Sequence, residues 1–165
     1  RVRDYKFFAI EDLPDRQPIT ITIAKIEEVE GLKAAGKVLD HAFLMYAKEP
    51  IMDKPMILKG ADNLRRLADI ANTDSVEKWI GMRVILQSET WTAFGKTDLG
   101  LRVAEKTTVP EGQTGKVVLN VSSPNFATIK QWLKEGKGIL ESVTSKYYVL
   151  PGALNELKRV VQNGK

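Results

Sequence analysis

The sequence predicts a mainly β domain with helices, a five-stranded Greek-key barrel followed by a small C-terminal helical unit. Three observations carry that expectation. Thr20-Ile21-Thr22-Ile23, flanked by Ile19 and Ala24, alternates with period two and is β-branched, as a half-buried strand requires. Between Lys54 and Val103 the pattern runs strand, helix, strand, hairpin, strand. Met56-Ile57-Leu58 is a short apolar run, and Leu64, Leu67, Ala68, Ile70 and Ala71 then fall on one helical face. Met82 to Leu86 and Leu99 to Val103 alternate again. From Ser123 onward the apolar spacing is helical throughout. A helix between the third and fourth of five strands is the order of an OB-fold.

At 165 residues, with 43% hydrophobic and 28% charged residues, the chain can build one medium core, or one core with a small appendage. No apolar run approaches the roughly 18–20 residues that span a bilayer, so no membrane partner is expected. No secretory signal is visible. The first residue is Arg1 rather than Met, so part of a native N-terminus is expected to precede it. Zero cysteines exclude disulfides and thiolate metal sites and fit a reducing cytoplasm. His41, the single histidine, excludes a histidine-based metal cluster.

The net charge of +4 mildly favours a polyanionic partner. Its distribution is uneven. Residues 1–105 hold 16 Lys/Arg against 17 Asp/Glu, whereas residues 106–165 hold 9 against 4. A basic groove on the barrel must therefore come from local clustering.

Taken in order, residues 1–16 are a lead-in whose Tyr5, Phe7, Phe8 and Ile10 pack onto the domain, and residues 17–105 are the barrel. After Lys25 the apolar phase shifts to Ile26 and Val29, which predicts a bulge or sharp bend in the first strand. Gly31 to Lys37 reads as a flexible, basic connection. Val38 to Lys48 is the second strand, closed by Glu49-Pro50. The helix is expected over about 61–72, followed by a short helical turn near Thr73 or Asp74. Trp79-Ile80-Gly81 reads as a core tryptophan and a turn glycine. Ser88 to Asp98 reads as a loop between strands four and five. Residues 106–122 are a linker or carry one extra strand, within Lys116 to Val121. Residues 123–165 hold three short helices, the first started by Ser123-Pro124 and ended by Gly136, the last opened by Pro151.

The run KPMILKGADNLRRLADIANTDSVEKWIGMRVIL, with the glycine hairpin and Gly100-Leu101-Arg102-Val103 after it, resembles a group of small phage and prophage proteins. These share a "KPLVLN" strand, a helix, an acidic "DTDDWIGK" turn and a strand ending "(A/G)-φ-R-V". The upstream PITITIAKIEEVE and the C-terminal Phe126, Trp132-Leu133-Lys134, Gly136-Lys137, Leu140, Val143, Tyr147 and Leu150 are similar to theirs. The resemblance covers most of the chain, and its motifs are scaffold motifs. It implies an OB-fold protein that binds single-stranded DNA in phage replication or recombination, without enzymatic activity or cofactor. It also implies a possible annealing recombinase or replication protein as partner. Two departures stand out. Lys59-Gly60-Ala61-Asp62-Asn63 replaces the family's "NKTN", and the sequence ends QNGK rather than in the acidic tip through which general single-strand binders recruit partners.

A binder of single strands needs aromatic faces for bases and cations that follow the phosphates. Trp91 and Phe94, beside Lys96 and Arg102, fall in the expected loop between strands four and five. Lys33 and Lys37 fall in the loop between strands one and two, and Tyr46 and Lys48 on strand two. Those are the framing loops and floor of an OB-fold groove. Arg83 and Arg102 face outward by alternation and are expected close together on adjacent strands. For each aromatic the alternative is packing back onto the barrel, and for each arginine an ion pair with Glu89 or Asp98. Gly31-x4-Gly36-Lys37 resembles the start of a phosphate loop, but Val38 stands where Ser or Thr is required and no helix follows. No acidic spacing groups a metal site. The competing function is a protein-interaction module that recruits a recombinase or other phage protein without touching nucleic acid.

Overall fold

A computed structural model describes residues 6–49, 52–58, 60–105 and 109–163. The chain is mixed α/β, with 37% strand and 33% helix, rather than mainly β. It divides into two compact units, residues 1–115 and residues 116–165.

The first unit is built on two long antiparallel hairpins. Strand β1 (Ile19–Ala34) pairs with β2 (Lys37–Glu49), and β4 (Arg83–Ala93) pairs with β5 (Lys96–Val103). The short β3 (Met56–Leu58) adds to β2 opposite Phe43 to Met45. β1 and β4 meet only over Ile19 to Thr22 against Leu86 to Arg83, giving the order β3-β2-β1-β4-β5. β1 changes partner at register shifts on either side of Ile23, close to the bend expected from the phase change after Lys25. There Ile23 N–H donates to Met82 O at 2.9 Å, and Gly81 N–H donates back to Ile23 O at 2.8 Å.

Period-two alternation places Ile19, Ile21, Ile23, Val84, Leu86 and Val103 on the inner face, where they pack with Met45, Met56 and Leu58. Helix α1 (Gly60–Ala71) lays Leu64, Leu67, Ala68, Ile70 and Ala71 onto this core, the expected face, and Leu67 is fully buried. Each large apolar side chain so buried contributes about 1.5–3 kcal/mol. A single 3₁₀ turn (Val76–Trp79) follows, starting a little later than the expected turn at Thr73 or Asp74. Trp79 is buried, with its indole N–H bonded to Thr73 O at 2.9 Å. Phe8 packs on this core, and Phe7 packs on a second apolar cluster with Ala42, Leu44, Ile57 and Tyr46. Tyr5 lies outside the described residues.

The sheet is not closed, because no pairing joins β3 to β5 among the described residues. Helix α1 satisfies part of the free edge instead. Ala104 N–H donates to Ile85 O, so by antiparallel parity the N–H and C=O of Val103 point away from β4. Asn63 Oδ1 accepts the Val103 N–H at 3.0 Å, and Arg66 donates to Val103 O at 2.8 Å. Two side chains of the helix thus occupy positions that a neighbouring strand fills in a closed sheet.

The second unit contains three helices, α2 (Phe126–Lys134), α3 (Leu140–Lys146) and α4 (Pro151–Asn163), but it is not helical alone. Strands β6 (Val117–Leu119) and β7 (Tyr147–Val149) pair in parallel within it. α2 starts at Phe126 rather than at Pro124, since the Ser123 hydroxyl accepts the Asn120 N–H at 2.9 Å and is used in the preceding turn. It ends at Gly136 (φ +69°), where Gly136 N–H bonds Leu133 O and Lys137 N–H bonds Trp132 O. Gly138 is obligatory for a different reason: a Cβ there would lie 1.7 Å from the Trp132 ring.

Candidate nucleic-acid interface

The segment from Ser88 to Asp98 is not a loop. β4 runs on to Ala93 and β5 starts at Lys96, so only Phe94 and Gly95 turn. Their φ values, +52° and +74°, are those of a type I′ hairpin, whose twist matches the flanking strands. Thr90, Trp91, Thr92 and Thr97 suit a pleated ribbon, and the opposed Thr92 and Thr97 hydroxyls bond at 3.1 Å.

Alternation then sorts the side chains. Glu89 and Trp91 share one face with Lys96, Asp98, Gly100 and Arg102, while Thr90, Thr92, Thr97 and Leu99 occupy the other. Trp91 is 41% exposed and lies along the ribbon over Gly100. A Cβ at Gly100 would come within 3.2 Å of the indole Cδ1 and 3.7 Å of the Arg102 guanidinium carbon. Glycine therefore lets the indole lie low beside Arg102. Asp98, directly opposite Trp91, accepts the Leu99 N–H at 2.8 Å. At the tip Phe94 is fully exposed, with a relative accessibility of 104%. Trp91, Phe94, Lys96 and Arg102 are thus brought together on one ribbon.

An anchored ion pair supports that ribbon. Arg66 reaches Glu89 with both terminal nitrogens, Nη2 to Oε1 at 3.0 Å, and only 11% of its side chain is exposed. Hydrogen bonding to Arg66 holds the Glu89 carboxyl below the usual carboxylate range, and Gln87 adds a bond at 3.0 Å.

The remaining expected residues lie elsewhere. Arg83 and Arg102 are not neighbours: Arg102 opposes Gln87, four residues along β4 from Arg83, or about 13 Å at strand rise. Arg83 Nε bonds Val109 O at 3.2 Å instead of Glu89 or Asp98. Gly31 to Lys37 is likewise not a flexible connection but the end of a second ribbon, turned by Ala35 (φ +48°) and Gly36 (φ +77°). Lys33 pairs with Val38 and Lys37 with Ala34, adjacent rungs, so the two lysines point to opposite faces. Tyr46 pairs with Lys25 on β1, and Lys48 falls at the register shift between the Ile23–Ala47 and Thr22–Glu49 pairs. The Tyr46 ring lies 5.2 Å from Lys25 Nζ, and its hydroxyl donates to Glu27 at 3.4 Å. His41 pairs with Glu28 at 2.8 Å.

The antiparallel β1–β4 pairing makes β1 leave the junction past Thr22 and β4 leave it past Leu86, at opposite ends. The lysine-bearing and aromatic-bearing hairpins thus start out from opposite ends of that junction. The sequence pattern places Leu99 and Gly100 in strand five but gives them no site role; for Gly100 a glycine inside a strand pattern was the available signal. Among the described residues no cluster of three or more His, Asp or Glu forms a metal site, and no helix is long and apolar enough to cross a membrane. No protein-family model, curated protein or solved structure matches the chain.

Proposed function

We propose that the protein binds single-stranded DNA with little sequence preference, using the outer face and tip of the β4–β5 ribbon. The observation that carries this reading is the exposure of Trp91 and Phe94 on one ribbon beside Lys96 and Arg102. Bases stack on such aromatics regardless of sequence, each contributing about 1–3 kcal/mol, while the two cations meet phosphates. The strand order β3-β2-β1-β4-β5, with a helix between β3 and β4, supports an OB-type domain opened between β3 and β5. Within that reading the phage or prophage replication and recombination setting, inside a bacterial host cell, rests on the resemblance in the sequence. The protein acts without catalysis, as a coating or delivery factor that an annealing recombinase or replication protein works beside.

Charge favours a second reading. Residues 1–115 carry 17 Lys/Arg against 18 Asp/Glu, so the unit offers no bulk attraction to DNA. In that reading the exposed Trp91, Phe94 and Leu99 bind another protein, and the unit recruits without touching nucleic acid.

Tryptophan fluorescence separates the two. Trp79 is buried and Trp132 packs in the second unit's core, which leaves Trp91 as the exposed reporter. Titration with oligo-dT, oligo-rU and duplex at two salt concentrations is expected to show quenching by single strands, with a salt slope near −0.7 per phosphate contacted and few contacts. Absence of quenching by any single strand at low salt rejects DNA binding and leaves the recruitment module.

A further inference from the structure

Phe94 is the most exposed large apolar side chain of the described residues, and its backbone is left-handed. Asn, Asp and Gly are the residues that suit this turn position; phenylalanine is disfavoured there by its Cβ and gains no burial in return. A residue that serves neither backbone nor core at the narrowest point of a ribbon is placed for a partner.

We infer that the hairpin tip is an end-stacking wedge: Phe94 stacks on the last base pair where a duplex opens, Trp91 takes a base of the unpaired strand, and the preferred ligand is a single-strand–duplex junction. This deepens the single-strand reading and rests on it. Three features point to that ligand. The tip is two strands wide, about 5 Å, and its last rung is Ala93 opposite Lys96, so little bulk stands behind the ring. Two strand residues, Thr92 and Ala93, separate Trp91 from Phe94, three residue steps or at most about 10 Å, about three base steps. The near balance of charge in residues 1–115 disfavours tracking a long phosphate backbone, whereas stacking on one duplex end needs few phosphates, with Lys96 beside the tip and Arg102, six residues along β5, left to the unpaired strand. Glu89, Asp98 and three threonines on the same ribbon make it too polar to enter lipid.

The test compares the full chain with Phe94→Asn and Phe94→Trp against three fluorescent probes: oligo-dT, a blunt duplex, and that duplex carrying a dT tail. Asparagine tolerates the left-handed turn, so Phe94→Asn is expected to hold or raise Tm. The wild type should prefer the tailed duplex over oligo-dT by about 5- to 150-fold, the ratio one stacked base carries. Phe94→Asn should lose that preference, its affinity for the tailed duplex falling further than its affinity for oligo-dT, and Phe94→Trp should keep it. Equal affinity of the wild type for oligo-dT and tailed duplex overturns the wedge and leaves single-strand binding standing. Retention of the preference in Phe94→Asn also overturns it. So does a change of sedimentation state in Phe94→Asn, which assigns the ring to a second copy. Failure of the wild type to bind any probe rejects the single-strand reading itself, and the wedge with it.

Discussion

The two hairpins of the first unit solve one backbone problem and carry opposite loads. Both are long antiparallel ribbons closed by a two-residue turn in which a non-glycine residue precedes glycine, Ala35-Gly36 in one and Phe94-Gly95 in the other. Along the first ribbon, back from its turn, Lys25 pairs with Glu27 at 3.1 Å and His41 with Glu28 at 2.8 Å, and the tip residue is alanine. Around the second, threonines flank an exposed indole and a fully exposed phenyl ring. The first ribbon leaves the aliphatic Val38 exposed near its turn, whereas the second leaves two aromatic rings and Leu99 in water. That difference, rather than the lysines, singles out the β4–β5 ribbon as the proposed binding element.

The largest expected effect breaks the anchoring of that ribbon. Arg66→Ala leaves Glu89 without its partner and Val103 O without its donor, and should cost about 3 kcal/mol, measured as a lower urea midpoint at unchanged m. Lys25→Ala in the other ribbon, where both partners are well exposed, should cost under about 1 kcal/mol. If the two variants are equally stable, the ribbons are not held differently. The pH dependence follows from Glu89, whose carboxyl Arg66 holds below its ordinary value. A depressed pKa stabilises above the unfolded value and ceases to do so as pH falls through the folded one. The gap between wild type and Arg66→Ala should therefore be full above the ordinary Glu range and narrow as pH falls through and below it.

Next comes binding. Trp91→Ala should weaken oligo-dT affinity by about 1–3 kcal/mol with little loss of stability. Tyr46→Ala should do the reverse, because Tyr46 packs against a buried cluster. Normal binding by Trp91→Ala would remove the indole from the interface. A smaller effect separates the cations. Lys96→Gln should reduce the salt slope by about 0.7, the loss of one phosphate contact on a single strand, and Lys33→Gln or Lys37→Gln should leave it unchanged.

What could be seen in the sequence follows from where a face is buried. Ile19, Ile21 and Ile23 alternate because one side meets the core, and α1 showed itself through Leu64, Leu67, Ala68 and Ile70 for the same reason. Beyond Glu89 both faces of the β4–β5 ribbon meet water, so most of Ser88 to Asp98 has no apolar alternation and resembles a loop. Gly31, with φ +62° inside β1, disguised the other ribbon in the same way. The Arg66–Glu89 and Asn63–Val103 contacts span 23 and 40 residues, and no local pattern specifies them. β6 and β7 are three-residue strands paired in parallel across two helices, too short to show a period. The aromatics of the candidate site were legible as residue types; their shared ribbon was not.

The smallest effect sharpens the comparison most, because it isolates the turns. Ala35 and Phe94 hold the same left-handed conformation, at φ +48° and +52°, and each bears a Cβ that this conformation disfavours. Asparagine visits that region with a smaller penalty, so Ala35→Asn should stabilise the fold by about 0.5–1 kcal/mol, read as a rise in Tm. Alanine offers no ring to a ligand, and single-strand affinity should not move. If Ala35→Asn also weakened binding, the first hairpin would be part of the interface and the contrast between the ribbons would fail. If it stabilised the protein at no cost in binding, the strain at position 35 would be incidental. The strain at Phe94, held with a ring in water, would then be the one retained for contact.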